Sequence, residues 1–430
     1  MLNYQPNHLF FDKLNQSDEA ALKAAYDKVQ AEKKAGNLGF ATLPFDEDGL
    51  QKIQALADEM KGKFESVVVI GIGGSDLGAR AAFRALRSPY YNADKKLRGN
   101  WPQLFFTGDT TDPEALSQVA EVVDWSKTLI VMISKSGNTI EQMSSFVYFR
   151  QQLVNAVGEE QSRSCIVTIT DPTTGTLREL TNEEGYKNLV HPAVGGRFSV
   201  LCAVGLFPLA LVGIDIQALC KGAADLDATE GGEPSTAALY AYHQFLAYQK
   251  GQHISVMFPY VYGLREFGFW FRQIWAESLG KKVNKSGEEV HVGPTPIAAV
   301  GPTDQHSQVQ LYMEGPHDKI MTFIRASHSN HDITLPEAFP AKEGVKYLAG
   351  ISMQTIITAE QEATAQALAQ ENRPSVLIEI EKVDEYNLGQ LFYFFELATA
   401  YAGELFDINA YDQPGVELGK QLMYKKLGRN

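Results

Sequence analysis

The sequence is poor in cysteine, with three in 430 residues at positions 165, 202 and 220. Their spacing matches neither a zinc motif nor a CxxC pair, and two sit inside apolar runs, so the expectation is buried, reduced thiols. Positive charge is short as well. The 38 Lys and Arg against 52 Asp and Glu leave a formal net charge of −14. That balance excludes a basic nucleic-acid-binding surface, and any anion site must be built locally from a few cations and backbone N–H groups. There is no low-complexity tract and no short-period repeat. The start, MLNYQPNHLFFDKLNQ, lacks the basic lead and long apolar stretch of a signal peptide. The most membrane-like run, Phe198 to Ile214, is short for a span and carries Gly205, Pro208 and Gly213. It reads as a buried helix. Together these features predict a reduced, soluble compartment, the cytoplasm, with no membrane and no nucleic-acid partner.

What is present is ordinary globular composition, 44% hydrophobic and 21% charged. The length exceeds one typical core and suggests two α/β domains with extensions. Residues 1–62 read as a polar, helical extension, clearest in SDEAALKAAYDKVQAEKK with Ser17 as its cap. Strand-like runs then alternate with helical ones: SVVVI at 66–70, QLFFTG at 103–108, TLIVMIS at 128–134 and CIVTIT at 165–170. A helix is expected from about 138 to 154. Near-continuous apolar strands in such alternation predict a parallel sheet covered on both faces, over 63–228. The Gly/Pro cluster from Ala228 to Pro234 is the linker candidate. A second αβ set follows over 235–405, with strands at 253–260, 297–301, 318–326 and 375–383. Its helices are expected at 236–249, through REFGFWFRQIWAESL, and at 345–370 and 388–403. Residues 406–430 form a C-terminal helical segment.

Six short motifs carry chemistry. GIGGSDLG at 71–78 sits between a strand and a helix but breaks the dinucleotide fingerprint, because Asp76 stands where a glycine is needed. What remains is a tight turn whose N–H groups and Ser75 hydroxyl can approach a small ligand, or a plain βα turn. SKSGNT at 134–139 again follows an apolar strand, and it brings hydroxyls, Lys135 and helix-terminal N–H groups together, which suits a phosphate. Two such loops after strands of one parallel sheet favour a ligand site, since ligands of open α/β sheets sit at the carboxyl ends of strands. GGRFS at 195–199 holds Arg197 between two glycines and an apolar segment; a structural ion pair is the plain alternative. In QIWAESLGK at 273–281, Gln273 and Glu277 share a helix face near Trp270, where a carboxylate can serve as a base. GPTDQHS at 301–307 offers His306, and DQPGVELGK at 412–420 offers Gln413 and Lys420. His328-Ser329-Asn330-His331 lacks a third ligand and reads as a loop rather than a metal site.

Taken in this order, from about residue 67 to 420, the six pieces resemble the glucose-6-phosphate isomerase family. VGGRFS and DQPGVELGK look like its two signatures, while GIGGSDLG and SKSGNT are similar to loops of the wider sugar-isomerase domain superfamily. The resemblance implies two sugar-isomerase-type domains, each a mainly parallel sheet flanked by helices, and a homodimer. It implies an aldose–ketose isomerase that interconverts glucose 6-phosphate and fructose 6-phosphate without cofactor or metal. It gives Glu277 as the base between C2 and C1, His306 and Lys420 as the ring-opening pair, and Arg197 as the arginine beside the enediolate. Ser134, Lys135, Ser136 and Thr139 become the phosphate loop, and Gly74, Ser75, Gln273 and Gln413 further sugar contacts. His306 is expected from the partner chain. The sequence departs from many members at Pro414, where they carry a bulky aromatic. Competing expectations are an isomerase that also accepts mannose 6-phosphate and a sugar-phosphate-binding regulator, which would have no need of Glu277, His306 and Lys420 together.

Overall fold

The computed structural model describes residues 1–10, 14–229 and 235–428. The linker candidate therefore lies largely outside the described residues. The described strands, in chain order, are β1 (Asn3–His8), β2 (Ser66–Ile70), β3 (Gln103–Thr107), β4 (Thr128–Ile133), β5 (Ile166–Thr170), β6 (Lys187–Val190), β7 (Ile254–Pro259), β8 (Lys281–Val283), β9 (Glu289–Val292), β10 (Thr295–Ala298), β11 (Lys319–Ala326) and β12 (Ser375–Ile380).

The first sheet has the order β3-β2-β4-β5-β6, with every pairing parallel. Its central strands β2 and β4 are buried along their whole length, as their unbroken Val/Ile/Leu runs require when helices cover both faces. The second sheet has the order β1-β12-β11-β7-β10. Its strands are parallel except β1, which runs antiparallel to β12 with Asn3 opposite Glu379. β8 and β9 form a separate antiparallel pair.

The expected fold class holds: α/β with parallel sheets flanked by helices. Four local expectations need correction. The opening residues, expected to be helical, form a strand at Asn3–His8. Its sequence, NYQPNH, carries no alternating apolar pattern; an edge position tolerates Pro6 and needs only backbone pairing. The first helix is capped by Asn15, not Ser17. The Asn15 side chain accepts from the Ser17 and Asp18 N–H groups, and the Asp18 carboxylate accepts the Asn15 N–H, so a capping box starts the helix Gln16–Lys34. The long helix expected from 345 starts at Met353, where the Ser352 hydroxyl accepts the Thr355 N–H. The strand expected at 297–301 is β10, which ends at Ala298.

The apolar run from Phe198 contains the helix Ala203–Leu211, and all nine of its residues are buried inside the protein. No helix among the described residues is long and apolar enough to cross a membrane. The three cysteines are free and buried, and burial pushes the Cys202 and Cys220 thiols up to about 12. The helix Glu385–Leu405 runs through the middle of the molecule and is buried from Asn387 to Gly403. It packs on the helices Ile216–Thr229, Thr236–Gln249 and Arg265–Leu279. The main apolar core spans residues of both sheets through this contact. The two sheets are therefore held in a fixed relation, and the helix Arg265–Leu279 lies against the helix Leu77–Leu86 that follows β2.

Candidate active site

The site begins at the carboxyl ends of β2 and β4. After β2 the chain turns through Gly73, whose φ of +58° lies in the left-handed region. Gly74 then meets Gly196 directly: a Cβ on Gly74 would stand 2.0 Å from the Gly196 carbonyl carbon. After β4, the Ser134–Thr139 loop closes on itself. The Gly137 N–H donates to Ser134 Oγ at 3.1 Å and the Asn138 N–H to Ser136 Oγ at 3.2 Å. The helix Ile140–Val157 starts at once, so its first N–H groups and partial positive charge face the same space. Lys135 Nζ reaches toward the Val194 carbonyl at 3.4 Å.

Arg197 is nearly sealed, 3% exposed. Its Nε donates to Ser278 Oγ at 2.7 Å, Nη1 to Gln413 Oε1 at 3.0 Å, and Nη2 to the carbonyls of Ala410 at 2.7 Å and Asp412 at 3.2 Å. A guanidinium has five N–H groups. Four are taken, and the remaining one belongs to Nη1, which also lies 3.7 Å from Glu277 Oε1. Burial pulls the Arg197 pKa down and the Glu277 and Asp412 charges oppose it.

Glu277 is on the helix Arg265–Leu279 with Gln273 one turn earlier, and Gln273 Nε2 donates to Glu277 Oε2 at 3.2 Å. Lys281, just past the helix end, is 8% exposed. Its Nζ donates to the carbonyls of Glu277 and Asp412, each at 2.8 Å. It therefore ties the helix that carries Glu277 to the segment that carries Gln413. The C-terminal helix Glu417–Lys426 closes the far side, where Lys420 Nζ meets Glu417 Oε1 at 2.8 Å and Tyr424 Oη donates to the Asn138 carbonyl at 2.7 Å.

The structure gathers eleven of the twelve sequence-predicted residues around one cleft of about 650 Å³. Gly74, Ser75, Ser134, Lys135, Ser136, Thr139, Arg197, Gln273, Glu277, Gln413 and Lys420 all line it. His306 is not among them: it stands outside the cleft, just after the turn Thr303–Gln305 on the second-sheet side. Two residues of this region carried no role in the sequence reading, Lys281 beside Glu277 and His191 in the cleft. Lys281 stood inside a motif already singled out, but its burial is a tertiary fact. His191, which lines the cleft, had no signal beyond a lone histidine ahead of VGGRF. Among the described residues, no group of three or more His, Cys, Asp or Glu could hold a metal ion, and His328 and His331 lie in an exposed loop.

The family model of phosphoglucose isomerase matches residues 18–428. The chain belongs to the phosphoglucose isomerase family. Among its relatives, a glucose-6-phosphate isomerase of Carboxydothermus hydrogenoformans is 40% identical over 412 residues, covering 94% of this chain and 88% of the relative. One of Rubrobacter xylanophilus is 39% identical over 397 residues, covering 91% and 89%. Among solved structures, a hypothetical protein from Thermus thermophilus superposes with a TM-score of 0.88 at 33% identity, covering 99% of this chain and 100% of that one. A glucose-6-phosphate isomerase from Chlamydia trachomatis shares the fold with a TM-score of 0.83 at 24% identity, covering 99% and 88%. In this phosphoglucose isomerase family member VGGRFS and DQPGVELGK meet at one guanidinium: Arg197 of the first is held by Gln413 and the Asp412 carbonyl of the second.

Proposed function

We infer that Glu277, Arg197, Lys420 and the 134–139 loop divide one isomerisation among them. The chain interconverts glucose 6-phosphate and fructose 6-phosphate, as its family and relatives indicate. That aldose–ketose exchange belongs to glycolysis and gluconeogenesis. The observation that carries the division of labour is the Glu277–Arg197 pair: a carboxylate open to the cleft, 3.7 Å from a buried guanidinium with one N–H that no hydrogen bond takes among the described residues.

The phosphate docks on the Ser134–Thr139 loop, where hydroxyls, Lys135 and the helix N-terminus supply donors. This leaves the sugar to extend toward Glu277. A pyranose has no free carbonyl, so Lys420 and His306 open the ring by acid–base transfer. Glu277 then removes the C2 proton and returns it at C1, with its carboxylate aimed by the Gln273 amide. The enediolate formed between these steps carries negative charge, and Arg197 is oriented for it before the reaction starts. His306 is supplied by a second copy of the chain in a homodimer. Its place outside its own cleft supports that reading. We further propose that residues 63–228 and 235–405 act as two domains, flanked by 1–62 and 406–430, and that the enzyme works in the cytoplasm.

The direct test is conversion of fructose 6-phosphate to glucose 6-phosphate in the presence of chelator, with Glu277→Gln alongside. The parent chain turns over, and the variant loses roughly 10²–10⁴-fold or more in kcat while still binding substrate. Near-normal turnover in Glu277→Gln removes it as the base.

A further inference from the structure

His191 stands in the cleft, and the chemistry above leaves it idle. It follows β6, is 1% exposed, and its backbone N–H donates to the Thr170 carbonyl at 2.8 Å. That bond fixes it at the end of β5. Its Nδ1 lies 2.8 Å from the Pro192 carbonyl oxygen. A carbonyl only accepts, so Nδ1 carries the hydrogen, and Nε2 holds the lone pair of a neutral ring. Among the described residues, Nε2 has no hydrogen-bond partner, while the residue lines the cleft beside Ser134, Lys135 and Ser136.

We propose that His191 is a phosphate-binding residue that is neutral in the empty cleft and becomes an imidazolium when a dianion docks on the 134–139 loop. Nε2 takes one proton from solvent and donates it as a hydrogen bond to an anion oxygen. The proposal rests on reading 134–139 as the phosphate loop. Burial is the largest influence on the ring and lowers its pKa; the Pro192 carbonyl and Asp171 raise it, and Lys135 lowers it. A dianion between His191 and Lys135 reverses the balance, because opposite charge close by favours the protonated form and the bond gained is charge-assisted. The other titratable groups of the cleft are Lys135, Lys420, Arg197, Glu141, Glu277, Glu417 and Tyr424.

Sulfate is the probe, because it stays dianionic near neutrality whereas phosphate esters titrate there themselves. Its binding is measured by calorimetry between about pH 6 and pH 8, in buffers of different ionisation heat. The parent chain should take up as much as one proton on binding. Its Kd should rise by up to about tenfold per pH unit above the free imidazole titration. His191→Asn, which keeps a donor near the Nδ1 position, and His191→Gln should both lose the uptake and the slope. A buffer-independent heat in the parent chain overturns the proposal without any variant. So does an unchanged slope in both variants, which would move the proton to another group. Lys135→Ala separates the two readings. If sulfate binding survives it unchanged, the phosphate-loop assignment fails. If Lys135→Ala abolishes binding while the parent chain shows no proton uptake, only the role of His191 fails.

Discussion

Gly74 and Gly196 touch backbone to backbone, at a distance that leaves no room for a methyl group: a Cβ placed on Gly74 would stand 2.0 Å from the Gly196 carbonyl carbon, far inside contact distance. The contact joins the loop after β2 to the turn that presents Arg197. Ser199 reinforces that turn by donating to the Gly196 carbonyl at 2.6 Å. Gly74→Ala must therefore push the two loops apart and move the guanidinium relative to Glu277. We expect kcat to fall by about 10²-fold, as for comparable displacements of catalytic groups. Steady-state kinetics on a variant whose melting temperature stays near the parent value is the check. Unchanged kcat would mean that the loops are free to move apart.

Lys135→Ala should raise KM for the hexose phosphate, with a smaller effect on kcat. The phosphate is remote from C1 and C2, so its contacts act mainly through binding. Removal of one charge-assisted bond costs about 1.5–3 kcal/mol, or roughly 10–160-fold in KM. A fall in kcat at constant KM would place Lys135 in the chemistry instead.

Co-expressed Glu277→Gln and His306→Ala chains should rescue each other if His306 serves the partner's cleft. A mixed dimer then has one site with both defects and one intact site, so about half the parent activity per dimer is the upper limit for independent sites. Purified mixed dimers no more active than the two parent mutants would return His306 to its own chain or remove it from catalysis.

Glu396 is fully buried in the helix Glu385–Leu405, and neither carboxyl oxygen has a hydrogen-bond partner among the described residues. Burial raises its pKa well above the ordinary carboxylate value of 4.5. A raised folded-state pKa means that the folded chain holds the proton more tightly than the unfolded one. The stability this gives is present in full below the unfolded pKa and is lost as pH climbs toward the folded value. Glutamine does not titrate. The melting temperature of Glu396→Gln relative to the parent should therefore improve steadily from about pH 5 to pH 8, by up to about 1.4 kcal/mol per pH unit in stability. A difference independent of pH would show that the carboxyl is not held neutral.

The first sheet was legible because β2, β4 and β5 are buried on both faces and so are written as continuous apolar runs bounded by turn residues. β1 was not, since an edge strand held by backbone bonds needs no apolar pattern. The helix start at Met353 was obscured for a related reason: 345–352 carries helix-compatible residues, but the Ser352 cap, which fixes the boundary, is a single side-chain bond. The site was legible through its motifs, each placed at a strand end or helix face where local chemistry constrains residue type. Lys281 and His191 were hidden because their significance is burial against distant segments, which spacing along the chain does not encode.

β1 has a consequence for how the chain is made. Leu2 donates its backbone N–H to Gln390 Oε1, 388 positions further along, and β1 completes the edge of a sheet whose neighbouring strand is β12. At about 5–20 residues per second, a ribosome needs roughly 20–80 s to travel that distance. For all of that time the N-terminal segment has no sheet to join. Its polarity, with Asn3, Gln5, Pro6, Asn7 and His8 in place of an apolar stripe, keeps an unpaired strand from sticking to other nascent chains during the wait. The pairing that was hardest to read in the sequence thus waits for almost the whole chain to be made, and the low hydrophobicity of β1 is what makes so long a delay safe.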